Sequence, residues 1–174
     1  MVAAPEAWLR GPIPGINAML MPAAHALVQA SEDLARAASG LSVAELWAKP
    51  GGAASVGFHL KHIRGSLGRM LAYARGRPLD PTQMRELAAE GQPGDPPADA
   101  DTLVRAAQGA ITDALEALRS TPPEELFAVR TVGRQALPTN VIGLLFHLAE
   151  HTQRHTGQVI TTTKIVRREG AHGA

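Results

Sequence analysis

Cysteine is absent from the 174-residue chain. That one absence removes disulfide frameworks, thiolate zinc knuckles, iron–sulfur clusters and cysteine nucleophiles. It leaves the compartment open, since a chain without thiols tolerates any redox state. Aromatic residues are scarce at 3%, which argues against a β-sandwich and against a stacking platform for single-stranded nucleic acid. Charge of one sign is also lacking: the net value is +1, so no whole-chain field draws the protein to DNA, RNA or an anionic membrane. Long apolar runs are missing too. The longest, Val141 to Phe146, stops at His147, far short of the roughly 20 residues of a membrane span. Met1 to Arg10 holds no basic stretch followed by an apolar one, so no secretory signal is expected and a soluble cytoplasmic protein is. The glycine fingerprints of phosphate and dinucleotide loops and the serine elbow of α/β-hydrolases do not occur.

Hydrophobic residues make up 45% and charged residues 19%, an ordinary globular balance for one domain with its own core. A single domain over residues 1–174 is expected, with 91–98 a mobile loop and 167–174 a flexible tail. Helical periodicity dominates. Pro22 suits a first turn, with Ala24, Leu27, Val28 and Leu34 at helical spacing before Gly40. Ser42 with Glu45 forms a capping box on a short turn that ends before Pro50. Ser55 caps a long helix carrying Val56, Leu60, Ile63, Leu67, Met70, Leu71 and Ala74, closed by Gly76 and Pro78. Asp80 caps a short helix near Pro81 to Glu90, and Asp99 or Asp101 opens a third long one. Phe127 to Leu137 reads as extended, with a small hairpin around Val132–Gly133. Thr139 caps the last long helix, which runs past Val159 towards Ile165. The class is all-α: a four-helix bundle with short extra helices and a hairpin before the last helix.

Seven histidines stand out: His25, His59, His62, His147, His151, His155 and His172. Five fall in two short windows on two different long helices. Imidazole is the commonest metal-ligating side chain, and residues four apart on a helix point the same way. His151 with His155 is therefore a two-tooth chelate, and a third ring from a facing helix would leave open positions for water or substrate, as in catalytic sites. At about 100° per residue, His155 lies within the apolar face of the last helix, His151 at its margin and His147 outside it. On the second long helix the same geometry places His59 nearer the core than His62, and either could reach a shared site. His147-Leu148-Ala149-Glu150-His151 also fits the inverted zincin pattern, but that mechanism needs a further acidic ligand well downstream, and only 23 residues follow His151. Two Glu-x-x-His sites, the mark of di-iron bundles, are not present. His25 and His172 read as histidines without a ligating role, and Arg167-Arg168 as a solvated helix end. A DNA-binding regulator is disfavoured for want of a basic stripe.

The segment His151-Thr152-Gln153-Arg154-His155-Thr156-Gly157-Gln158 resembles the H-x-x-x-H-x-G-Q signature that closes the DinB/YfiT-like metal-binding four-helix proteins. Ser55, with His62 seven residues on and Ile63 after it, is similar to that family's second-helix pattern. The resemblance spans about Ile16 to Val166. It implies a DinB-like up-down bundle and one divalent ion, zinc or nickel, on His62, His151 and His155, which sets aside the angular preference for His59. His59 and His147 then become pocket-lining candidates. Glu150 and Gln158 are chemically able to accept a ligating ring's other N–H. Gly157 would let a neighbour approach closely, and His25 with Gln29 would line a pocket at one end of the bundle. The resemblance further implies a metal-dependent hydrolase or a low-molecular-weight-thiol S-transferase, with a small-molecule substrate, a thiol cosubstrate and a homodimer. The alternative is a non-catalytic, stress-related binding module of the same fold.

Overall fold

The computed structural model describes residues 4–172, the side chains of 170–172 excepted. Six α-helices and one hairpin are present among the described residues: α1 (Met21–Ala38), α2 (Val43–Trp47), α3 (Val56–Ala74), α4 (Pro81–Ala88), α5 (Ala100–Ser120), β1 (Val129–Val132), β2 (Leu137–Asn140) and α6 (Val141–His172). Among the described residues, no helix is long and apolar enough to cross a membrane.

Local chemistry starts each helix where an oxygen can accept the orphan N–H groups of a first turn. The Ser42–Glu45 capping box opens α2, and Ser55 Oγ accepts the N–H of Phe58 at 3.1 Å to open α3. Asp80 opens α4 in a box with Gln83, and Asp99 accepts from Thr102 at 2.7 Å to open α5. The last helix departs from expectation by one residue. Thr139 lies in β2, and Asn140 Oδ1 accepts the N–H of Gly143 at 2.8 Å. Past α3, Gly76 takes the left-handed conformation (φ +68°) that the helix end demands.

The four long helices pack cyclically in the order α1, α6, α3, α5. Gln153 donates to the Ala26 carbonyl and Arg167 to that of Ser39, so α1 and α6 run the same way. Gln108 donates to the Ser31 carbonyl while Gly15 meets Arg119, so α5 runs against α1. His59 meets His155 and His62 meets His151, so α3 runs against α6; α3 and α5 are therefore parallel to each other, and the long return between them carries α4. Leu27, Leu34, Leu60, Ile63, Leu67, Ile111, Leu118, Leu145 and Leu148 fill the centre of the bundle. Trp47 of α2 lies across α3 at Gly57, where an added Cβ would sit 2.9 Å from its ring atoms. The β1–β2 hairpin pairs Val129 with Asn140 and Val132 with Leu137, and Arg130 Nε donates to the Ala74 carbonyl at 2.7 Å, tying it to the end of α3. Helix α6 continues through the stretch from 167 on, as far as 172. Residues 173 and 174 and the side chain of His172 lie outside the described residues.

Candidate metal centre

Because α3 and α6 are antiparallel neighbours, a window on one can face a window on the other. His59 and His62 lie one turn apart on α3, and His151 and His155 one turn apart on α6. The four rings interlock. His62 Nε2 is 2.9 Å from His151 Nε2, and His59 Nδ1 is 2.9 Å from His155 Nδ1. The ring centroid of His155 lies 4.4 Å from that of His62 and 4.6 Å from that of His151. One nitrogen each from His62, His151 and His155 falls within 4.8 Å of the others, close enough for the three to hold a metal ion. His59 stands outside that triad although it is the more deeply buried of the α3 pair, at 6% exposure. The helical angle alone gives its depth correctly, and the position of α6 decides which ring converges.

Three of the four rings are held in the neutral form. Burial foremost, then the neighbouring His62, pushes His59 down to about 4. Burial, then His62 and His151, pushes His155 down to about 3. Burial, then His62 and His147, lowers His151 as well. A neutral imidazole is the form that ligates. His151 Nδ1 is moreover buried without a hydrogen-bond partner among the described residues. Three imidazole donors and an unsatisfied buried nitrogen fit a divalent ion of borderline softness.

One side of the cluster is closed by an aromatic ring and a carboxylate. Phe58 stacks on His62 with centroids 5.5 Å apart. Glu90, just past α4, places Oε2 2.7 Å from His62 Nδ1 and Oε1 2.8 Å from Arg69 Nη1. Glu90 and Arg69 are both buried. Burial alone would raise the Glu90 carboxyl, but the bonds from His62 and Arg69 outweigh it and hold it below the usual range. Sequence reasoning passes over this pair. Glu90 is 28 residues from His62 with no local pattern to link them. The available signal was Arg69, a cation set among the apolar positions of α3.

The remaining candidates lie elsewhere. His147 is exposed at the rim, with its centroid 5.3 Å from that of His151. Glu150 does not brace a cluster ring: it pairs with Arg154 and sits 3.3 Å from His147 Nδ1. Gln158 is exposed, and Gly157 faces open space, so no neighbour approaches it. His25 bonds the Gly11 carbonyl at 2.9 Å and, with Gln29 and Gln153, lines a cleft of about 910 Å³ under the N-terminal segment. None of the four cluster histidines lines that cleft.

A family model described as the DinB superfamily matches residues 26–159, a stretch that contains the four clustered histidines, Arg69 and Glu90. No curated protein matches the chain.

Proposed function

The chain belongs to the DinB superfamily, and we propose that it is a metal-dependent enzyme, a hydrolase or a low-molecular-weight-thiol S-transferase, in which His62, His151 and His155 hold one zinc or nickel ion. The observation that carries this reading is the convergence of three imidazoles from two separate helices within 4.8 Å. When bound, a divalent ion on three uncharged ligands supplies Lewis acidity that lowers the pKa of a water or thiol beside it. The chain's own groups prepare the place. His59 occupies Nδ1 of His155, Phe58 covers one face of His62, and the exposed His147 and Arg154 with the half-buried Glu150 form a polar rim. A chain without cysteine offers no thiolate of its own to compete with a thiol substrate.

The test begins with protein purified without a histidine tag, stripped with chelator and reloaded with zinc or nickel. Metal analysis is expected to give one ion per chain, lost in His151→Ala and in His155→Ala. Metal content unchanged by both substitutions would remove the centre. Turnover of ester or thiol-conjugate substrates should then depend on the metal and vanish in His62→Ala. One bound ion with no turnover of either class would favour the binding module.

A further inference from the structure

We propose that Glu90 is the positioning residue of this centre: its carboxylate, anchored by Arg69, holds His62 in the one tautomer that turns a bare Nε2 toward His151 and His155. The inference deepens the proposed function and rests on it for the ligand set.

Donors and acceptors around Glu90 decide the tautomer. A carboxylate beside a buried guanidinium is ionised, and an ionised carboxylate only accepts. His62 Nδ1, 2.7 Å from Oε2, must therefore carry the ring proton. In a ligating ring, which carries a single proton, Nε2 is then the bare nitrogen, the atom 2.9 Å from His151 Nε2. Two donors, Arg69 Nη1 and His62 Nδ1, approach Glu90 from opposite sides. A carboxylate satisfies both. A glutamine amide satisfies one and presents N–H groups to the other.

The surroundings fix that carboxylate in place. A Cβ on Gly65 would lie 2.6 Å from Arg69 Nη1 and 2.6 Å from Glu90 Oε1, so the pair crosses α3 at a residue without a side chain. Lys61 Nζ donates to the Ala89 and Gln92 carbonyls at 2.7 Å each, gripping the chain on both sides of Glu90. Arg64 pairs with Glu86 at 3.0 Å one turn earlier. Three basic residues of α3 thus clamp the α4 segment over the metal centre, with Arg69 the buried member.

The experiment compares zinc affinity, by competition with a chromophoric chelator, in wild type, Glu90→Gln and the double variant Arg69→Met with Glu90→Gln. Circular dichroism confirms that each is folded. Loss of a group that orients a ligating imidazole weakens metal binding roughly 10- to 100-fold, and Glu90→Gln is expected in that range. The double variant should recover most of the loss, because the amide oxygen, no longer claimed by Arg69, can face His62. In the metal-free protein, ¹⁵N spectra should show His62 protonated on Nδ1 in wild type and not uniformly so in Glu90→Gln. Zinc binding in Glu90→Gln as tight as in wild type, or a double variant no better than the single one, overturns the proposal. A wild type that binds no zinc sinks the metal centre instead. The spectra then decide the tautomer assignment separately, and a wild-type His62 without a proton on Nδ1 refutes it.

Discussion

Protons compete for the nitrogens of His59, His151 and His155, and the fold resists them. In the unfolded chain these rings take up protons as the pH falls through about 6.5. In the folded chain burial delays this to about 4 for His59 and about 3 for His155. Between those limits the unfolded state binds more protons, so the stability of the metal-free protein rises with pH across the window. The contribution is complete above about pH 6.5 and is lost as the pH drops towards 4 and below. Glu90, whose carboxyl is lowered, acts with the same sign, since its share is present above the ordinary carboxylate range and disappears below it. The urea midpoint of the metal-free protein should therefore be clearly lower at pH 5 than at pH 7.5. Equal midpoints would contradict neutral rings at His59, His151 and His155. The residues were unevenly legible in the sequence. His151 and His155 declare themselves by spacing on one helix. The choice between His59 and His62 cannot be read from α3 alone, because it depends on where α6 lies. Glu90 reaches His62 only through tertiary packing, and no local pattern encodes it.

Helix starts are the most local features of the chain and were the most legible. Ser42, Ser55, Asp80 and Asp99 each accept the N–H three residues on, as their types and positions predict. The start of α6 was harder, because Thr139 and Asn140 are both capping types and the hairpin decides between them. Strand β2 keeps Thr139 in register with Arg130, which leaves Asn140 to turn the chain. Asn140→Ala should cost about 1 kcal/mol of unfolding free energy by chemical denaturation. Thr139→Ala should cost clearly less. Equal losses would assign the cap to neither residue. At Gly143 an added Cβ would lie 2.9 Å from Asn140 Oδ1 and 3.1 Å from Thr139 Oγ1, so Gly143→Ala is expected to disturb the same turn.

At the scale of the whole molecule, four long helices and their order were foreseeable from apolar periodicity and from the punctuation of Gly40, Gly76 and the 91–97 stretch. Helix direction was not, since periodicity carries no sign. The antiparallel meeting of α3 with α6 is what allows one ion to link residues 62 and 151. A ligand that binds the folded chain alone stabilises it by mass action, about 2.7 kcal/mol at a hundredfold excess over Kd. Zinc at that excess should raise the melting temperature of the wild type and leave His151→Ala unmoved. A zinc shift retained by that variant would place the ion elsewhere.

The return between α3 and α5 has a practical corollary. Severed between Gly91 and Pro97, the polypeptide would part into one piece bearing His59, His62, Arg69 and Glu90 and another bearing His151 and His155. The first piece would own one of the three donors and the second the other two, and α5 and α6 of one would have to find α1 and α3 of the other. Co-expressed as two genes, the halves would form a complementation pair whose reunion zinc promotes and a chelator opposes.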